Sequence, residues 1–90
     1  MKILIAEDDP VSRHLLTANL VNWGHKVVTV SNGLEAWHAL QKDDAPHFAI
    51  LDWMMPAMEG PEVCRRLRQS ARKIATYVIL LTPDRESQKW

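Results

Sequence analysis

Four carboxylates in this 90-residue chain follow runs of apolar residues, where a negative charge is costly unless it is paired or coordinated. Glu7, Asp8 and Asp9 come directly after the first apolar run, and Asp52 closes the third. If folding brings these runs side by side, the carboxylates repel one another. A hard divalent cation relieves both costs, because Mg²⁺ takes oxygen ligands, usually one or two carboxylates with water and phosphate oxygens. The acids therefore predict a magnesium site.

A phosphoryl group is the reactant that suits this set of residues. Asp52 can serve as a carboxylate nucleophile that forms an acyl phosphate. A bound metal ion would neutralise charge on the transferring group, and the hydroxyl of Thr82 would donate a hydrogen bond to a phosphoryl oxygen. The alternative interpretation of the acidic triplet is a helix start, since acids favour the first turn of a helix. That alternative explains Asp9 but leaves Asp52 unexplained.

An alternation of short strands and helices would position these residues. Four continuous apolar runs predict strands buried on both faces, and three segments with helical features separate them. This order predicts right-handed crossovers and a parallel, doubly wound α/β sheet. Ligands of such sheets bind outside the carboxyl ends of the strands, where the acids and the hydroxyl lie. The predicted strands are residues 3–6, 27–30, 48–51 and 77–82.

Capping residues and apolar stripes define the three predicted helices. The first begins after Asp9 as N-cap with Pro10 in its first turn, and it ends near Gly24. The second opens at Ser31 and Asn32, both good capping residues, and the third at Gly60 and Pro61. The first helix is expected to bury one stripe against the sheet. Its members are Val11, Leu15, Ala18 and Val21, widened by Leu16 and Leu20.

The composition excludes several classes of protein. Eleven basic and eleven acidic residues give a formal charge of zero, which argues against a protein that coats nucleic acid or a membrane surface. The single cysteine, Cys64, excludes an intramolecular disulfide and a cysteine-based zinc cluster. No apolar run approaches the ~20 residues that span a bilayer. We therefore expect one cytoplasmic domain, with no membrane contact and no direct binding of nucleic acid.

Three motifs in order resemble the receiver domain of bacterial two-component response regulators. They are ILIAEDDP at residues 3–10, ILDWMMP at 50–56 and YVILLT at 77–82, and NGLEA at 32–36 is also typical. The resemblance covers nearly all of residues 1–82. It implies a flavodoxin-like sheet with the strand order 2-1-3-4-5. It also implies a signalling domain and not an enzyme, one that at most catalyses its own phosphoryl transfer.

The resemblance gives five residues a role. Asp52 resembles the phosphoacceptor, Asp8 the direct metal ligand, and Glu7 a ligand that acts largely through water. The backbone carbonyl of Met54 would complete the protein's share of the Mg²⁺ coordination. Thr82 resembles the switch hydroxyl that moves toward the phosphoryl group on activation. The implied phosphodonor is a sensor histidine kinase.

The sequence departs from the family pattern at several positions. Ala57 stands where the family usually has glycine, Glu59 where it usually has aspartate, and Pro83 where a small residue is more common. A complete receiver continues through a fourth helix, a fifth strand that ends in a phosphate-binding lysine, and a fifth helix. Lys89 comes too early in the chain to be that lysine. We therefore expect residues 1–90 to be one receiver domain, truncated after the fourth strand.

Two further expectations concern the function of such a chain. Without a fifth strand, the fourth strand becomes an exposed apolar edge, so the chain is expected to self-associate through it. The alternative function is a pseudo-receiver, which keeps the fold and the acids but acts as a dimerisation or assembly module. A phosphatase with an aspartate nucleophile is weaker, because such enzymes commonly carry an acid where this chain has Met54. The three glycines fit neither a P-loop nor a dinucleotide fingerprint.

Overall fold

The computed structural model describes residues 1–70 and 75–82. Strands and helices alternate in the predicted order, and each strand boundary lies within one residue of its predicted position. The expectations for Pro83 and Lys89 concern residues outside the described ranges. The elements are β1 (Lys2–Ala6), α1 (Pro10–Asn22), β2 (Lys26–Val30), α2 (Gly33–Leu40), β3 (Phe48–Asp52), α3 (Gly60–Gln69) and β4 (Tyr77–Leu81).

The four strands form one parallel sheet in the order β2-β1-β3-β4. This confirms the doubly wound α/β class and the part of the expected strand order that the described residues contain. In the register, Ile5 lies between Thr29 of β2 and Ile50 of β3, and Asp52 pairs with Leu81 of β4. The carboxyl ends of all four strands therefore meet at one edge of the sheet, which we call the rim.

The two faces of the sheet are covered unequally. One face, here called the closed face, packs against α2 and α3, and the opposite open face packs, among the described helices, against α1 alone. On the open face, Ile3, Ile5 and Ile50 surround Leu20 of α1. The larger core belongs to the closed face and consists of Leu4, Ala6, Ala36, Leu40, Ala49, Leu51, Met55, Met58 and Val63.

The prediction that every strand is buried on both faces is wrong for the two edge strands, β2 and β4, neither of which has a fully buried residue. Strand β4 shows how this arises. Its side chains alternate, and Tyr77 and Ile79 are 66% and 47% exposed on the open face. The physical reason is that α1 lies over β1 and β2, which leaves β4 at the uncovered side of the sheet. Continuous apolar sequence indicates a strand, but it does not tell which neighbour covers each face.

The predicted buried stripe of α1 is wrong for three of its six members. Val11, Leu15 and Val21 are exposed, whereas Leu20 is buried and Leu16 packs beside it. The cause is the anchoring of Arg13, whose Nη1 donates to the carbonyl oxygen of Glu7 at 2.8 Å and so turns that side of the helix toward the sheet. Leu16 and Leu20 then face inward, Ala18 is half-buried, and Val11, Leu15 and Val21 face solvent.

Among the described residues, no helix combines the length and apolar character needed to cross a bilayer.

Candidate functional site at the rim

The structure brings three predicted site residues together. Glu7, Asp8 and Asp52 each offer a carboxylate oxygen, and these oxygens all lie within 4.8 Å of one another. Glu7 follows β1 and is only 9% exposed, Asp52 ends β3 and is half-buried, and Asp8 is exposed. Three hard oxygen donors that converge from two neighbouring strands match the ligand preference of a small divalent cation.

The electrostatics of this cluster is unfavourable in the absence of a cation. Burial in the first place, and then the hydrogen bond with Asp52 and its negative charge, together raise the pKa of Glu7 to about 7. The backbone N–H of Asp9, which donates to Oε2 of Glu7 at 3.3 Å, opposes these effects only in part. Near neutral pH the cluster therefore favours the uptake of positive charge, either as a proton or as a metal ion.

The nearest positive side chain is used elsewhere. Arg13 directs its guanidinium to the backbone carbonyl of Glu7 and makes no ion pair with the rim carboxylates. Within residues 1–70 and 75–82, the ion pairs between side chains are those of Glu62 with Arg65 and Arg66 on α3. The described part of the chain thus assembles three carboxylates at the rim without pairing them with a cation.

Asp52 is held at its position by the backbone around it. Its Oδ1 accepts a hydrogen bond from the N–H of Trp53 at 3.0 Å, and the same N–H donates to the carbonyl of Leu81 at 2.9 Å. Gly60 donates its N–H to the carbonyl of Trp53 at 2.9 Å, which closes the loop 53–59. A Cβ at Gly60 would lie 2.5 Å from the carbonyl oxygen of Asp52, so only glycine permits this approach.

The loop after Asp52 is anchored in the closed face. Met55 and Met58 are buried in its core, while Met54 is 63% exposed beside the acids. The carbonyl of Met58 lies 1.7 Å from where a Cβ of Gly33 would stand, so the loop packs directly on the start of α2. The structure thus places Met54 in the loop next to Asp52, and the metal-binding role of its carbonyl stays a prediction.

Ala57 adopts the conformation that explains why the family pattern has glycine there. Its φ is +70°, in the left-handed region, and it is the non-glycine residue with positive φ in the part of the chain that the structure describes. A Cβ in this region costs roughly 1–2 kcal/mol. Alanine in place of glycine at position 57 therefore keeps the loop geometry and lowers the stability of the folded protein.

Thr82 follows β4 and lies on the same cavity as the acids. This cavity, of about 520 Å³, lies between α1 and the ends of β3 and β4, and we call it the α1–β4 cleft. Sequence reasoning placed Leu15 and Leu16 on the apolar stripe of α1 but gave no sign that they line a cavity together with the acids. The lining combines polar and apolar side chains: Glu7, Ser12, Leu15, Leu16, Asn19, Asp52, Leu81 and Thr82.

Comparisons with known proteins agree on one family. The family model described as "Response regulator receiver domain" matches residues 3–89 of the chain. The chain is 40% identical over 88 residues to the phosphate regulon transcriptional regulatory protein PhoB of Rhizobium meliloti, covering 98% of this chain and 38% of that protein. It is 35% identical over 89 residues to the protein PilH of Pseudomonas aeruginosa, covering 98% and 73%.

Solved structures give the same result. One of them is the receiver domain of the sensor histidine kinase PA1611 from Pseudomonas aeruginosa, crystallised with a magnesium ion coordinated in the active site cleft. It superposes on this chain with a TM-score of 0.82 and 27% sequence identity, and the match covers 94% of this chain and 73% of that one. The response regulator TrrA from Thermotoga maritima, in complex with Mg²⁺-BeF, gives 0.79 at 36% identity, covering 90% and 68%. The chain spans only part of the curated relatives that it matches. It covers 38% of the length of PhoB and 65% of the length of a Campylobacter CheY homolog.

Proposed function

The chain belongs to the response regulator receiver domain family, and on that premise we propose that Asp52 is its phosphoacceptor. One observation carries the proposal: Glu7, Asp8 and Asp52 meet within 4.8 Å at the rim, with no cationic partner among the described side chains. A receiver is a signalling domain, so the outcome of the reaction is a changed protein surface and not a released product.

We propose that Mg²⁺ is the cation that this cluster takes. Asp8 and Asp52 would be its carboxylate ligands and Met54 would offer its backbone carbonyl, with Glu7 acting through water. Two similar receiver structures were crystallised with Mg²⁺. The raised pKa of Glu7 supports a demand for positive charge at this position. When bound, the ion would neutralise charge on the transferring phosphoryl group.

The phosphoryl group is proposed to come from a phosphohistidine of a sensor histidine kinase in the cytoplasm. A carboxylate oxygen of Asp52 forms the new O–P bond while the P–N bond to the imidazole breaks, and the imidazole takes up a proton. The hydrogen bond from the N–H of Trp53 orients the Asp52 carboxylate. The hydroxyl of Thr82 donates to a phosphoryl oxygen. The domain thus catalyses its own modification, chiefly by positioning.

A mass measurement tests this proposal. The chain is incubated with Mg²⁺ and acetyl phosphate, and its intact mass is recorded before and after mild base. We expect the mass of one added phosphoryl group, stable in acid and lost in base, in the wild type and in a matched Glu62→Gln control but not in Asp52→Asn. An unchanged adduct in Asp52→Asn would exclude this acceptor, and the absence of any adduct would favour a non-switching assembly module.

We also propose that the chain self-associates through β4. This strand pairs with β3 on one side, and no strand among the described residues pairs with its other side. Its sequence, YVILL, carries no charge, and Tyr77 and Ile79 are exposed on the open face. An uncharged, apolar edge is a template for pairing with a second copy.

Sedimentation tests this second proposal. The wild type is expected to form dimers as its concentration rises, and Ile79→Lys, which places a charge on an already exposed position, is expected to remain a monomer. A wild type that stays monomeric over the whole concentration range, with a cooperative thermal transition, would contradict self-association.

A further inference from the structure

A second cavity lies between α2 and α3, away from the rim. We call it the α2–α3 groove; it has a volume of about 400 Å³ and is lined by Trp37, Gln41, Arg65, Arg66, Gln69 and Ser70. Helix α3 begins at the rim with Gly60, so Arg65 and Gln69 lie about 8 Å and 14 Å further along its axis. The groove is therefore separate from the rim carboxylates, and what it binds does not depend on the proposed phosphorylation of Asp52.

The groove carries a small positive charge. Its lining contains two arginines and no acid. Glu62 lies outside the lining and pairs with both arginines, so these three side chains together carry one positive charge. One carboxylate on a ligand would match that charge.

The hydrogen bonds of the two arginines show which of them can take the carboxylate. Arg65 is engaged at all three nitrogens, because its Nε and Nη2 donate to Glu62 and its Nη1 donates to Oε1 of Gln69 at 3.1 Å. Arg66 donates its Nε to Glu62 at 2.9 Å, and within residues 1–70 and 75–82 its two Nη groups have no hydrogen-bond partner. The free end of this guanidinium can hold a carboxylate through two parallel hydrogen bonds.

The other lining residues suit a segment of polypeptide. Trp37 is half-buried: it packs against the core of the closed face and also lines the groove, so an aromatic ring can pack on a fixed indole. The side-chain amide of Gln41 is exposed and has no hydrogen-bond partner among the described residues. An amide offers both a donor and an acceptor, which is what a backbone peptide group requires of its partner.

We propose that the α2–α3 groove binds a segment of a partner protein in which an acidic residue stands next to an aromatic residue. The carboxylate of the segment meets the Nη groups of Arg66, its aromatic ring packs on Trp37, and one of its peptide groups bonds to the amide of Gln41. A groove of this size contacts only a few residues, so an isolated peptide is expected to bind weakly, with a Kd of roughly 1 mM.

An NMR titration tests the inference. The full chain, labelled with ¹⁵N, is titrated with the peptide GSEFGSG, acetylated and amidated at its ends so that the glutamate is its one charge. We expect the indole signal of Trp37 and the side-chain amide signal of Gln41 to shift. The peptides GSQFGSG, which lacks the acid, and GSEAGSG, which lacks the ring, should each bind roughly tenfold more weakly.

Two arginines of α3 provide the matched comparison. Arg66 lines the groove, whereas Arg68 is exposed on the same helix and does not line it. Arg66→Gln should raise the Kd of GSEFGSG roughly tenfold, and Arg66→Lys, which keeps the charge and loses the planar fork, roughly threefold. Arg68→Gln removes the same charge and should leave the Kd unchanged.

Several results would overturn the inference. Equal weakening in Arg66→Gln and Arg68→Gln would mean that the peptide is held by general charge attraction. Shifts confined to another surface, or no shifts at ten times the expected Kd, would leave the groove without this partner. Phenylacetate that binds as tightly as the peptide would show a site for small acids and not for a protein segment. If Arg66→Gln loses the dispersed amide signals of a folded chain, Arg66→Lys must show the threefold weakening, or the inference fails.

Discussion

Glu7 on the rim and Glu62 on α3 are the same type of residue in opposite surroundings. Glu62 is on the surface, where Arg65 and Arg66 both pair with it, and these two hydrogen-bonded arginines lower its pKa to about 2. Glu7 is 9% exposed beside Asp52, and its pKa rises to about 7. Two arginines pair with the negative charge of Glu62, whereas no positively charged side chain among the described residues pairs with Glu7.

This difference indicates where the chain gives up stability for function. The α3 cluster is a solvated helix face: Glu62 pairs with arginines three and four residues further on, and such exposed pairs contribute little to stability. The rim carries an unmatched charge that a folded protein retains only when something binds there.

Mg²⁺ should stabilise the protein through the rim and not through α3. At a Mg²⁺ concentration 100 times its Kd, the free energy of unfolding should rise by about 2.7 kcal/mol, which corresponds to a Tm increase of roughly 10 °C or more. The increase should be absent in Asp52→Asn and unchanged in Glu62→Gln, as measured by thermal unfolding with and without a chelator. An equal response of all three proteins would show non-specific binding of the ion.

Removing the charge of Glu7 should stabilise the metal-free protein. Glu7→Gln keeps the shape of the side chain and removes the repulsion with Asp52, so at pH 8 without Mg²⁺ the free energy of unfolding should rise by about 2 kcal/mol, after allowance for water near the rim. Glu62→Gln should leave it nearly unchanged or slightly lower. Urea titrations of the three proteins provide the comparison, and a less stable Glu7→Gln would contradict the assignment of strain to the rim.

The pH dependence of stability should have opposite signs at the two glutamates. The pKa of Glu7 is about 7 in the folded protein and near 4.5 when unfolded, so the folded state binds more protons between these values. Stability from this group is therefore present below pH 4.5 and is lost as the pH rises to 7, by about 1.5 kcal/mol. Glu62, with its lowered pKa, contributes stability above pH 4.5 that is lost as the pH falls toward 2.

Urea titrations between pH 4.5 and 8 check this sign. The free energy of unfolding of the wild type should decline as the pH rises over this range. The decline should be smaller in Glu7→Gln and unchanged in Glu62→Gln. If the free energy of unfolding of Glu7→Gln declines with the same slope as that of the wild type, a group other than Glu7 titrates in this pH range.

The smallest predicted effect concerns glycine at two positions. Ala57→Gly relieves the positive φ of the loop after Asp52 and should raise the free energy of unfolding by about 1 kcal/mol. Arg68→Gly, on the exposed face of α3, should lower it by about 1 kcal/mol, since glycine is a poor helix former. Substitution to glycine is thus expected to raise the free energy of unfolding at Ala57 and to lower it at Arg68. If chemical denaturation shows a change of the same sign for both variants, the evidence for backbone strain at Ala57 is removed.

The sequence predicts local features of this fold well. Strand boundaries and the capping residues Asp9 and Asn32 follow from neighbouring residues, and these are confirmed. The end of the third strand at Asp52 also follows from its neighbours. The family motifs supply the strand order.

The features that sequence reasoning missed depend on distant contacts. The inward side of α1 is set by Arg13 reaching the carbonyl of Glu7, and the exposure of Ile79 is set by which strands α1 covers. The close contact between Gly33 and the carbonyl of Met58 likewise joins two segments far apart in the chain. Periodicity in the sequence gives no information on such contacts.

The central claim is that the rim carboxylates form a metal-dependent phosphoacceptor site at Asp52. The most direct test treats the chain with acetyl phosphate, with Mg²⁺ or with a chelator, then reduces it with borohydride, which converts an aspartyl phosphate to homoserine, and locates the change by peptide mass spectrometry. The account predicts homoserine at position 52 alone, and only when Mg²⁺ is present. Homoserine at position 8, or equal conversion in the chelator, would contradict it.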